Sequence, residues 1–311
     1  MDDQGSTTKA NCANCGAELN GPWCAQCGEQ ARKPGELTLR EYLAELLDAL
    51  TNLEGRFWGS LRALVFKPGL LTADYLAGRR VRWMRPLHLF LFINLLYFFV
   101  SAWNTFTTEL HWHIGAEGFL HQPVASRLVN QSLNDPPLAE EEWNQVAASL
   151  LYGPAELSEH LYPARESVVD YGRLFNSRVD IYSRTLIIIY IPLMMIAPLL
   201  LMAWRRESPI IHLVLATHWT AFFLVLSMAT GWLIIVLAMI GWLPPNERLL
   251  DVIATGSLAV LGFAWTLPAV RQVYRMGWIK ATLLAAAINV WWLPALLLYR
   301  AVLFFLVFWS L

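Results

Sequence analysis

"RFWGSLRALVFKPGLLTADYLAGRRVRWMRPLHLFLFINLLYFF", residues 56–99, changes character at one point. Up to Arg85 it carries seven basic residues, Arg56, Arg62, Lys67, Arg79, Arg80, Arg82 and Arg85, and one acid, Asp74. From Pro86 onward it has no Lys, Arg, Asp or Glu. Phe57, Trp58, Leu61, Leu64 and Val65 give the first part an apolar side, and Lys67-Pro68-Gly69 breaks it into two pieces. A basic amphipathic stretch with Trp, directly ahead of an apolar run, fits a helix lying in the headgroup plane before a membrane span. Each basic residue near an anionic leaflet is worth about 1 kcal/mol. The expected surface is therefore the anionic cytoplasmic face of a membrane. Nucleic acid, the other common partner of such a patch, is not expected, because the positive-inside bias already accounts for the charge.

Reading outward, residues 86–103 form the first expected span, and residues 185–311 hold four more. These are Thr185–Trp204, Ile210 to about Ile240, Leu249–Val270 and Ala281 to about Phe305. Each approaches the roughly 20 apolar residues that a crossing needs. Pro192, Pro198 and Pro294 lie inside spans, where neighbouring helices re-satisfy the freed backbone groups. The 311-residue chain is 56% hydrophobic and only 15% charged, against about 25% charged for soluble domains. The expected fold class is all-α: a polytopic transmembrane helical protein of about five spans with a small N-terminal zinc ribbon.

Lys and Arg in the short flanks set the orientation. The seven basic residues above, Arg205 and Arg206, and Arg271, Arg275 and Lys280 all fall on one side of a five-span chain. Met1 to Lys33 is polar and lacks the apolar core of a signal peptide. The expectation is a multi-pass protein of a bacterial inner membrane, N-terminus cytoplasmic and C-terminus outside. At the end, Arg300 and "AVLFFLVFWSL" leave two readings: a span that finishes, or a tail that folds back into the interface.

The 104–184 segment falls outside the membrane and carries five Arg against eleven Asp and Glu. Prolines 123, 136, 137, 154 and 163 divide it, and residues 164–184 read as a helix running into the second span. Within it, Glu109 and His111-Trp112-His113 offer an H-x-H that on a strand would aim two imidazoles at one metal. With no further ligand at clear spacing, a surface aromatic turn is the expectation. Glu140-Glu141-Glu142 reads as solvated charge.

Ahead of the basic stretch, residues 1–10 read as a disordered tail. Residues 36–53 read as an amphipathic helix, with Leu39, Leu43, Leu46, Leu50 and Leu53 on one stripe. Between them lies "NCANCGAELNGPWCAQCGEQ", residues 11–30, with all four cysteines in a C-x2-C-x8-C-x2-C pattern: Cys12, Cys15, Cys24 and Cys27. Four thiolates at this spacing suit tetrahedral Zn²⁺. Gly16 and Gly28 follow the second cysteine of each pair, where the turn calls for positive φ. Disulfides, a redox C-x-x-C and an iron–sulfur site are the rivals; a cytoplasmic location and paired ribbon spacing disfavour the first two. A site closed by four cysteines leaves no position for substrate. The zinc is therefore expected to be structural, folding about twenty residues that have no core of their own.

"PWCAQCGEQ" together with residues 56–99 resembles the bacterial membrane-protein family called domain of unknown function 3667. The matching positions are Pro68, Gly69, Tyr75, Gly78, Arg80 and Pro86. The resemblance extends to "HLVLATHWTAFF" in the third span, with His212, His218 and Phe222 in like positions. It implies the ribbon-plus-spans architecture and no particular chemistry.

Polar groups within spans are costly and default to functional suspects. His88 and Asn94 in span one, and His212 and His218 in span three, are each six residues apart. If the two spans are neighbours and begin at similar depth, the four residues lie at two levels of a candidate intramembrane polar site. Interhelical hydrogen bonding, a polar cavity and an imidazole-held metal or haem are the three readings, and Asn289 can join either of the first two. No G-x-S-x-G, P-loop or H-E-x-x-H occurs, so no catalytic residue is expected. The expectation is a non-enzymatic membrane adaptor or assembly factor whose ribbon docks a cytoplasmic protein. The alternative is a transport or lipid-handling protein using the polar groups of spans one and three. Oligomeric state stays open.

Overall fold

The computed structural model describes residues 11–28, 56–100, 105–115, 119–154, 157–243 and 246–311. The tail at 1–10 and the leucine-striped segment at 36–53 lie outside the described residues. Eleven α-helices are described: α1 (Phe57–Phe66), α2 (Leu70–Leu76), α3 (Pro86–Val100), α4 (Leu110–Gly115), α5 (Gln122–Leu133), α6 (Glu140–Tyr152), α7 (Tyr162–Leu186), α8 (Tyr190–Leu201), α9 (Pro209–Met239), α10 (Glu247–Tyr274) and α11 (Trp278–Phe308). An isolated β-bridge joins Asn11 to Glu18.

Among the described residues, four helical runs are long and apolar enough to cross a membrane: Glu159–Leu201, Pro209–Met239, Leu249–Tyr274 and Trp278–Phe308. The chain is a multi-pass helical membrane protein. The described part of the first expected span, helix α3, has 15 residues, about 22 Å at 1.5 Å per residue. The helical reading of 164–184 holds, since α7 continues through a 3-10 turn at Ile187–Ile189 into α8. That tightened turn has a local cause. Pro192 supplies no N–H to Ile188, four residues back, and its ring crowds that carbonyl. The fold-back reading of the C-terminus is overturned, because α11 runs unbroken to Phe308 across Pro294.

Helix α9 is stopped by Gly241 at φ 76°. The Gly241 N–H donates to Ala238 O and the Trp242 N–H to Leu237 O, the paired bonds of a Schellman ending. Asn246 starts α10 by accepting from the Leu249 N–H at 3.1 Å.

The chain divides into two units. One comprises residues 1–103 and 194–291, the other residues 104–193 and 292–311. In the first, α9 packs against α3 and α10, and the short α2 packs on both α9 and α10. Phe222 stacks on Trp265 with ring centres 4.7 Å apart. Trp219 Nε1 donates to Thr266 Oγ1 at 3.0 Å. In the second unit, α4 packs on α5, α6 and α7. Trp143 Nε1 donates to Ser126 Oγ and ties α6 to α5. Phe106 is fully buried and meets Tyr190 and Tyr299 edge-on. Arg300 donates to Thr105 O at 2.8 Å from inside α11.

Candidate functional site

The four cysteine sulfurs lie within 4.8 Å of one another. Cys12 and Cys27 are 3.5 Å apart and Cys15 and Cys24 3.6 Å. Four sulfurs at about 2.3 Å from one ion would stand about 3.8 Å apart, so the set fits a tetrahedral metal. None of the four is in a disulfide. The two knuckles match: Gly16 N–H donates to Cys12 O and Gly28 N–H to Cys24 O, both at 2.8 Å. Gly16 and Gly28 have φ 79° and 71°, so each turn uses the left-handed region that glycine enters freely. Cys12 and Cys24 are buried while Trp23, beside Cys24, is 59% exposed.

The ribbon rests on the turn between α2 and α3. A Cβ placed on Gly78 would stand 3.3 Å from the Ala13 side chain in the first knuckle. Gly78 has φ 83°. The turn below it is organised by Asp74, which sequence reading counted only as a lone acid. Asp74 Oδ1 accepts from Arg79 Nη2 at 2.6 Å and Nε at 3.1 Å, and Oδ2 accepts from Trp83 Nε1 at 2.6 Å. The Asp74 residue is 6% exposed, so burial makes these charge-assisted bonds count for more than a surface pair would. Arg80 lies over the Tyr75 ring at 5.0 Å. Met84 N–H donates to Ser60 Oγ at 2.8 Å, closing the turn back on α1.

The 56–85 segment has an outward and an inward side, and Trp58 and Phe66 on the outward one are 77% and 76% exposed. Arg56, Arg62, Lys67, Arg79 and Arg82 are exposed, and Arg80 and Arg85 are half-buried. The other side of the same segment is inside the helix bundle. Tyr75 packs with Ile210 and Val214 of α9. Trp265 of α10 donates through Nε1 to Leu64 O at 2.6 Å. Gly69 sits so close to α10 that a Cβ there would stand 2.8 Å from Ala269 Cα. The Pro-Gly break lets the chain fold α2 inward, and the absent side chain lets it touch α10. Of the apolar face read in the sequence, Leu64 is taken up by the bundle, while Trp58 is left exposed.

The two α9 histidines take separate partners. His218 Nδ1 hydrogen-bonds Thr72 Oγ1 of α2 at 2.8 Å, and His212 Nδ1 hydrogen-bonds the Tyr274 hydroxyl of α10 at 2.6 Å. Both histidines are buried. His88 is buried in α3 and Asn94 is half-buried. Asn289 donates to Ala285 O, four residues back on α11. Thr72 and Tyr274 escaped sequence reading because a hydroxyl among apolar residues has no spacing signature.

The H-x-H is not a surface turn. It lies in α4, where residues two apart point to different faces. His113 is 1% exposed, and its Nδ1 hydrogen-bonds His121 Nε2 at 2.8 Å. Phe119, Phe175 and Phe304 ring the pair. Burial pushes the His113 imidazole down to about 3, with His121 and Arg300 adding to the effect. His111 stays half-buried beside Glu109 at 3.3 Å.

The stretch that seats the ribbon and reaches into the bundle is also the one that other proteins share. Residues 54–98 match the family described as protein of unknown function (DUF3667). The DUF3667 match takes in α1, α2, the Asp74 turn and all but the last two residues of α3. The ribbon and α9, where the resemblance was also read, lie outside it. No curated protein and no solved structure matches the chain.

Proposed function

We propose that this membrane protein is a non-enzymatic adaptor or assembly factor, with Zn²⁺ in the ribbon and a cytoplasmic protein partner bound by the ribbon's outer face. The observation that carries this reading is the two-sided ribbon. One side rests on Gly78, and the other presents Trp23, 59% exposed beside a metal-ligating position. A four-thiolate site is closed to substrate, so its use is to hold a shape. An exposed Trp on a rigid knob is the kind of anchor that dominates protein interfaces. The ribbon, the exposed arginines of 56–82 and the anionic leaflet would share the cytoplasmic side, in a bacterial inner membrane with the C-terminus outside.

The test is a crosslinked affinity purification from membranes at matched expression, comparing wild type with Trp23→Ala and with Cys24→Ser/Cys27→Ser. A defined protein captured by wild type and lost with both variants is expected. A capture unchanged by Trp23→Ala but lost with the cysteine variant would keep the ribbon as the docking site and move the contact off Trp23. Captures identical in all three would reject the docking role and make the ribbon a folding staple.

A second reading, transport or lipid handling through the intramembrane polar groups, draws on one observation: His218 Nε2 is buried with no hydrogen-bond partner among the described residues. It predicts that His218→Leu abolishes an activity without lowering the amount of folded protein. The Thr72 and Tyr274 bonds favour a structural role for both histidines.

A further inference from the structure

Helix α8, the 3-10 turn Ala203–Arg205 and the start of α11 enclose an open groove of about 980 Å³. Its walls include Leu201, Leu284 and Ala287, all apolar. Its rim carries Trp204, Trp278, Arg275 and Lys280. The rim is thus cationic and aromatic, and the wall is hydrocarbon. That gradient is the reverse of a water-filled pocket, which would spread its polar groups around a ligand. It matches an amphiphile that carries a negative head and an apolar body.

The rim charges are available to an anion. Arg205 is committed, donating to Tyr274 O at 3.0 Å and pairing with Glu207 at 3.1 Å. Lys280 has no carboxylate partner among the described residues and lies 5.7 Å from the Trp204 ring centre. Arg275 likewise lacks a carboxylate partner there, and its backbone is held in the left-handed region at φ 48° as α10 ends. The Trp204 and Trp278 rings, 69% and 58% exposed, sit at the same end, as interfacial aromatics do. The volume is at the upper end of the range of small-molecule sites, about 300–1,000 Å³.

We infer that this groove binds one anionic phospholipid, with its phosphate between Arg275 and Lys280 and its acyl chains along Leu201, Leu284 and Ala287. Basic pockets between membrane helices on the cytoplasmic side hold anionic headgroups by this combination of charge and apolar surface. The site is separate from the 56–85 segment and from the ribbon. It rests on the chain being a membrane protein and not on the docking role, so either can fail alone.

The test is native mass spectrometry of the detergent-purified protein after incubation with phosphatidylglycerol, phosphatidylcholine or glycerol 3-phosphate. Wild type should retain one phosphatidylglycerol at least about fivefold more than phosphatidylcholine, a gap of about 1 kcal/mol. Arg275→Gln/Lys280→Gln should lose that preference, and Arg275→Lys/Lys280→Arg should keep it. Ala287→Phe, which fills the wall, should reduce retention of both lipids. Lipid-free melting temperatures of the variants serve as the folding control. Equal retention of the two lipids by wild type would overturn the site. So would an unchanged preference in the charge-removing variant, or glycerol 3-phosphate binding as tightly as the lipid.

Discussion

Thr72 and His218 stand 146 residues apart in the chain and share a buried hydrogen bond of 2.8 Å. This bond joins the seven-residue α2 to the 31-residue α9. A helix of seven residues is too short to be stable by itself. Its place depends on such contacts.

Thr72→Val keeps the shape and removes the hydroxyl, leaving His218 Nδ1 buried without a partner. The expected loss is about 1–3 kcal/mol. It would appear as a lower melting temperature of the purified protein in detergent, with Thr72→Ser close to wild type. Equal melting of wild type and Thr72→Val would remove the bond from the account.

Gly69→Ala should be more damaging. Its φ of 83° disfavours any side chain, and a Cβ would meet Ala269 Cα at 2.8 Å and its carbonyl oxygen at 2.9 Å. The left-handed backbone alone costs about 1–2 kcal/mol, and the clash adds to it. Because the opposing atoms are backbone, Ala269→Gly cannot rescue the variant. Gly21→Ala, with nothing within 4 Å, should be silent. Folded yield by size-exclusion chromatography reads all three, and rescue by Ala269→Gly would contradict the close approach.

The ribbon should carry one metal ion per chain by elemental analysis, and Cys24→Ser should abolish it. Stripping the metal should expose residues 11–28 to protease and leave the helical circular dichroism unchanged. Protection that survives chelation would mean the ribbon holds its shape without the ion.

The His113–His121 pair predicts acid sensitivity. Burial places the folded His113 near 3, below its ordinary 6.5. The neutral form is thus the one the fold favours. The contribution is fully present above pH 6.5 and is lost as pH falls from there toward 3. At about 1.4 kcal/mol per unit, the shift amounts to a few kcal/mol. Melting temperature should drop over that window in wild type and drop less in His113→Phe/His121→Phe. Parallel profiles would place the sensitivity elsewhere.

The long helices were legible because an apolar run of about twenty residues has few other uses. Cysteine spacing carried the ribbon in the same way, down to positive φ at Gly16 and Gly28. What escaped was pairing at a distance. Asp74 looked like one acid among seven basic residues, and only the folded turn gives it Arg79 and Trp83. His113 looked like half of an H-x-H, and a helix instead of a strand turns it toward His121. The apolar face of 57–65 pointed equally to lipid and to a helix, since both bury the same side chains.

The central claim is a ribbon fixed on one side and free on the other. A photo-crosslinking amino acid placed in turn at positions 13 and 23, in membranes, separates the two sides. Position 13 should give an internal product near Gly78, while position 23 should trap a second protein. No internal product from position 13, or only internal products from position 23, would contradict the account.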